Sequence, residues 1–167
     1  MKRLFMAGLL LLLPLGMAQA SPLFSAVGEF SGTGRISPKV EAPLGRAKCK
    51  LQVTRNAPND VNITGRCVLV GGSTNVSMRF VKAPNKAVRG GVWSPSTDES
   101  VQFEGTDAGN IVRLQTVAPV DVEGVLYDSI VTLEFTSANA FAMEQLVRKI
   151  GDEAWLRVVD MIFEQEG

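Results

Sequence analysis

Between residues 46 and 70 the chain alternates apolar and polar side chains with little interruption. Odd positions carry Cys49, Leu51 and Val53, then Val61, Ile63, Cys67 and Leu69; even positions carry Lys48, Lys50, Gln52, Thr54, Asn62, Thr64 and Arg66. A period of two marks strands with one dry and one wet face. The intervening Asn56-Ala57-Pro58-Asn59-Asp60 has the chemistry of a turn. Folding the two strands about Pro58 sets Arg55 opposite Val61, Val53 opposite Ile63, Leu51 opposite Gly65 and Cys49 opposite Cys67. Opposed antiparallel residues lie about 4.5 to 5.5 Å apart at Cα, within the reach of a disulfide. The spacing therefore predicts a cross-strand Cys49–Cys67 disulfide on the dry face.

The same alternation recurs at 27–37 (Phe30, Ile36), 74–82 (Val76, Met78, Phe80), 86–94 (Val88, Val92), 100–104 (Val101, Phe103), 110–117 (Val112, Leu114) and 126–136 (Tyr127, Val131, Leu133, Phe135). Eight short strands with local links predict a mainly β fold. An antiparallel up-and-down barrel is favoured because closure removes exposed edges, with a two-sheet sandwich as the alternative. In such a barrel Phe30, Ile36, Leu51 and Val53 face inward. Met78, Phe80, Phe103, Leu114 and Phe135 join them, either lining a ligand site or simply filling the space.

From residue 137 the period changes. Phe141, Met143, Leu146, Val147 and Ile150 recur at three and four residues, and Trp155, Val158, Val159 and Ile162 form a stripe flanked by Leu156 and Phe163. That spacing predicts an amphipathic helical segment over 137–167, packed on the barrel or docking a partner through Trp155, Leu156, Val159, Ile162 and Phe163.

Residues 1–20 run from Lys2 and Arg3 through an apolar core to Ala18-Gln19-Ala20, the order of a secretory signal peptide. The expected organisation is a leader at 1–20, a barrel at 21–136 and a helix at 137–167. A compact, bacterial-type leader and two cysteines both suit the periplasm or the external medium. No later stretch is apolar for long enough to cross a membrane as a helix.

Composition narrows the chemistry. The chain has no histidine, which removes the ordinary Ser or Cys triads and histidine-rich zinc sites. Gly72-Ser73 lacks the nucleophile-elbow frame, and Gly32-Thr33-Gly34 lacks the third glycine and the helix of a nucleotide loop. The expectation is a protein that is not an enzyme and takes no cofactor or metal. Charge adds one positive signal: residues 21–93 hold 11 basic and 3 acidic side chains, whereas residues 94–167 hold 4 and 14. Consecutive strands of an up-and-down barrel are neighbours, so this split becomes spatial. Arg35, Arg46, Lys48, Lys50 and Arg66 form a candidate outer basic patch for an anionic ligand, an acidic protein or an envelope surface, unless the acidic C-terminal segment covers it. An overall acidic exported chain with few surface aromatics does not suit nucleic acid.

Gly28-Glu29-Phe30 on the first strand, eight antiparallel strands and a final helix together resemble the calycin group, the lipocalins and their small bacterial relatives. Phe30 stands where lipocalins carry the tryptophan of a G-x-W motif, and the small secreted inhibitor barrels of that group likewise carry a disulfide. The resemblance implies an exported binding module for a small apolar or anionic ligand. The alternative is a protein–protein module, an inhibitor or an envelope-complex subunit, acting through the C-terminal helix or the basic face.

Overall fold

The computed structural model of the chain describes residues 21–93 and 100–167. The expected leader at 1–20, and residues 94–99 between the strands expected at 86–94 and 100–104, lie outside the described residues. A four-residue helix, α1 (Pro22–Ser25), precedes β1 (Gly28–Ile36), β2 (Gly45–Ala57), β3 (Asp60–Leu69), β4 (Gly72–Lys82), β5 (Ala87–Trp93), β6 (Val101–Asp107) and β7 (Ile111–Thr116). Then follow β8 (Val120–Val122), β9 (Val125–Ser137), β10 (Ala140–Lys149) and β11 (Leu156–Gln165). All pairings are antiparallel. The ring runs β1 to β7, then β9, β10 and β11, and β11 pairs back onto β1. The result is a closed barrel of ten strands, with β8 as an extra short strand beside β7 on the same edge of β9.

All eight expected strands form. The hairpin of β2 and β3 has the register that alternation requires, Arg55 with Val61, Val53 with Ile63, Leu51 with Gly65 and Cys49 with Cys67, and the two cysteines are bonded at 2.01 Å. The turn itself is tighter than expected: Ala57 pairs with Asp60, and a bulge at Asn56 restores the register.

The helix expected over 137–167 does not form; that segment supplies β10 and β11, which close the barrel. Two local features produced the misleading spacing. Gln145 occupies an inward position between Met143 and Val147, where its amide donates to the Ser129 hydroxyl at 2.9 Å, so the dry row has a polar gap while Leu146 faces the other way beside Ile130. On β11 a bulge leaves Val158 unpaired between Arg157 and Val159, which places two adjacent valines in an otherwise alternating strand. A polar residue in the dry row and one extra residue turn a period of two into an apparent period of three and four.

The inward rows make one core, including Phe30, Leu51, Val53, Ile63, Phe80, Val88, Phe103, Val112, Leu133, Phe141 and Phe163. With the apolar side chains inside and the charges outside, the wall is the reverse of a membrane-spanning barrel. Gly32 supplies the close approach that the largest rings need, because a Cβ there would sit 2.2 Å from the Phe163 ring. α1 lies across one end of the barrel. It touches both β3 and β9, which stand on opposite sides of the ring, and Leu23 and Phe24 are buried in the core.

Candidate functional site

The outward residues of β1, β2 and β3 build the basic wall. Arg35 stands opposite Arg46, Ser31 opposite Lys50, Lys50 opposite Arg66, and Arg66 opposite Asn75 on β4. The inward disulfide holds β2 and β3 in this register, so Lys48, Lys50 and Arg66 share one face. All five predicted patch residues are exposed.

The acidic C-terminal segment meets this wall edge to edge, as strand β11 rather than as a helix lying over it. Asp160 pairs with Arg35 at 3.3 Å, and Glu166 pairs with Lys50 at 3.3 Å while accepting the Ser31 hydroxyl. The Ser31 hydroxyl, with Lys50 adding a hydrogen bond and its charge, holds the Glu166 carboxyl below its ordinary range. Two of the five cations are thus partnered from within the chain. Arg46, Lys48 and Arg66 have no carboxylate within 4.0 Å among the described residues. Arg66 instead donates to the Ser73 hydroxyl at 2.6 Å.

A shallow depression of about 380 Å³ opens among Lys50, Gln52, Thr64, Arg66, Asn75 and Glu166. Its floor is backbone and the backs of Phe30 and Leu51, where Gly65 permits a close approach of strands: a Cβ at Gly65 would sit 2.1 Å from the Lys50 carbonyl oxygen and 2.6 Å from the Leu51 side chain. The depression offers an ammonium, a guanidinium, two amides and a hydroxyl beside two carboxylates, Glu29 and Glu166. The ammonium is already paired with Glu166, so donors for an oxyanion come from Arg66, the amides and the hydroxyl.

The other predicted site residues fall elsewhere. Phe30, Leu51, Val53, Met78, Phe80, Phe103, Leu114 and Phe135 do face inward, and all are buried in the single core, packed against one another; Ile36 is partly buried at the end remote from α1. The five residues assigned to a partner helix do not share a helical face. Phe163 points into the core, Val159 is partly buried against it, Ile162 is 61% exposed on the outer wall, Leu156 is 44% exposed at the start of β11, and Trp155 precedes that strand with its ring 4.7 Å from the Arg148 guanidinium.

Sequence reasoning passed over two features. The plug α1 was signalled by Leu23-Phe24 directly after Pro22, an apolar pair following a residue suited to a first helical turn. The β8–β9 hairpin was signalled by Glu123-Gly124, both in left-handed conformation (φ 54° and 83°), as a two-residue primed turn requires.

No protein-family model matches the chain, and no curated protein matches it either.

Proposed function

We propose that this chain is an exported binding protein that holds an anionic partner on the outer wall of its barrel, over strands β1 to β3. One observation carries the reading: Arg46, Lys48 and Arg66 stand exposed on adjacent strands, unmatched by carboxylates among the described residues, although the chain supplies partners for Arg35 and Lys50. Cations fixed in this way on a sheet repel one another, and an anion spanning them relieves that repulsion while making charge-assisted hydrogen bonds. The disulfide is compatible with a periplasmic or extracellular setting. Among the described residues no helix is long and apolar enough to cross a membrane.

A test uses heparin as a soluble polyanion and vesicles of phosphatidylglycerol as an anionic surface. Binding to at least one of them is expected at low ionic strength, falling as salt screens the wall, and abolished by Arg46→Glu, Lys48→Glu and Arg66→Glu together. Absence of binding to both at low salt, or binding indifferent to the triple reversal, would sink the proposal.

A second reading, a small apolar ligand held within the barrel, draws support from the end opposite α1. There Ile36, Leu69, Val76, Val92, Val101 and Val159 face inward but are only partly buried. Native mass spectrometry of protein from its own host distinguishes this reading by a bound mass that survives the triple reversal.

A further inference from the structure

The outer wall of β4, β5 and β6 carries a second depression, of about 470 Å³, far in chemistry from the basic wall. Its centre is Gly91, an outward position with no side chain. Around it the register places Arg79 and Gln102 on either side, Trp93 two residues along β5 with Ser77 opposite, and Arg89 two residues back. Trp93 is 42% exposed, an unusual amount for the largest apolar side chain on a wall otherwise dominated by polar groups.

The two guanidinium groups are already neutralised. Arg79 makes a two-pronged contact with Asp60 at 3.1 and 2.7 Å, and Arg89 meets Glu104 at 3.1 Å. The Arg79 guanidinium also holds the Asp60 carboxyl below its ordinary range. The two-pronged contact fixes the plane of the Arg79 guanidinium, and both guanidinium groups keep N–H groups to donate outward. The notch therefore combines an exposed indole with the smaller apolar side chain of Val81, a floor of bare backbone, an amide that both donates and accepts, and guanidinium donors with little net charge.

That combination fits neither a polyanion, for which the cations are spent, nor an apolar peptide, for which the rim is too polar. A sugar ring has the matching character: one face of C–H groups to lie on an indole and an equator of hydroxyls to engage amide and guanidinium. We propose that the Gly91 notch is a binding site for a neutral oligosaccharide, with Trp93 as the stacking platform and Gln102, Arg79 and Arg89 as hydrogen-bonding groups. Gly91 sets access, since any larger side chain at this position enters the space the ring would occupy; a Cβ there already meets the Ser100 hydroxyl at 3.0 Å.

The site is separate from the basic wall, so the two proposals fail independently. The full chain is screened on a printed array of neutral oligosaccharides and then titrated calorimetrically with chitotetraose, maltotetraose and cellotetraose. At least one neutral glycan binds, and Trp93→Ala and Gly91→Phe each weaken it by about tenfold or more, while the triple reversal of Arg46, Lys48 and Arg66 leaves it unchanged. Both altered side chains point outward, and circular dichroism with a thiol assay verifies that each variant keeps its fold and disulfide. No signal from any neutral glycan, or binding retained in both folded variants, overturns the assignment.

Discussion

The two ends of the barrel are built differently. At the end where α1 lies, the inward residues are large and almost wholly buried: Phe30 and Phe80 are 0% exposed, Phe141 and Phe163 are 3% and 2%. Phe141 touches three other rings, at centroid distances of 5.6 Å to Phe30, 5.2 Å to Phe135 and 4.8 Å to Phe163. Phe24 of α1 completes this floor, with the Lys82 ammonium 5.8 Å from its ring and 2.7 Å from the buried Asp107 carboxylate, close enough for an ion pair although off the angle of a hydrogen bond. At the opposite end the inward residues are smaller and partly exposed, and the interior turns polar where Thr116, Ser129 and Gln145 hydrogen-bond to one another. Several of the most exposed apolar residues, Val70, Val117, Leu126, Ile150 and Leu156, also lie at this end. The contrast assigns stability to the aromatic end, and it leaves the outer wall and the far rim able to carry exposed groups without loss of the fold.

The sharpest way to break that contrast is to remove its centre. Phe141→Ala is expected to cost about 3 to 5 kcal/mol, because the ring is buried against three aromatic neighbours that cannot all collapse into the space. That is a large part of a typical domain's stability, so the variant's urea midpoint falls steeply or the purified chain loses near-ultraviolet dichroism. A loss below about 1 kcal/mol would mean that the aromatic end is not where the fold is held.

Next in size is the covalent link. Cys49 and Cys67 are joined across 18 residues of sequence, and the loop-entropy model puts such a bond at about 3 kcal/mol. Replacing both with alanine lowers the urea midpoint but leaves a folded barrel, since the register of β2 and β3 is also set by Leu51, Val53, Val61 and Ile63 on the dry face. An unfolded double variant would show that the hairpin depends on the bond rather than on its alternation.

How much of this was legible follows from the same local physics. The β2–β3 hairpin could be read residue by residue because no bulge interrupts its strands until Asn56 and the inward positions from Ala47 to Val53 and from Val61 to Leu69 are all apolar or glycine. Parity alone then located the core and the outward basic wall. β10 and β11 were misread because Gln145 and the bulge at Val158 break the alternation where the ring closes. The acidic segment meets the basic strands as a neighbour in the sheet, not as a helix lying over them, and Arg46, Lys48 and Arg66 have no carboxylate partner among the described residues. Nothing in the pattern marked the Gly91 notch: Arg79, Gly91 and Gln102 are brought together by a register across three strands, which becomes visible only once the strands are paired.

The smallest effect sharpens the contrast most, because it holds chemistry constant. Val88 and Val92 point inward from the same strand, Val88 toward the α1 end at 0% exposure and Val92 toward the far end, partly buried. Truncation of each to alanine deletes the same two methyl groups. Val88→Ala is expected to cost about 2 kcal/mol from lost burial and the cavity left behind. Val92→Ala should cost less than about 1 kcal/mol, because its surroundings are already open to water. Urea unfolding of the two variants side by side measures the difference directly. Equal losses would mean that the two ends are packed alike, and that the partly exposed residues at the far end contribute as much to holding the barrel together as the buried aromatic floor does.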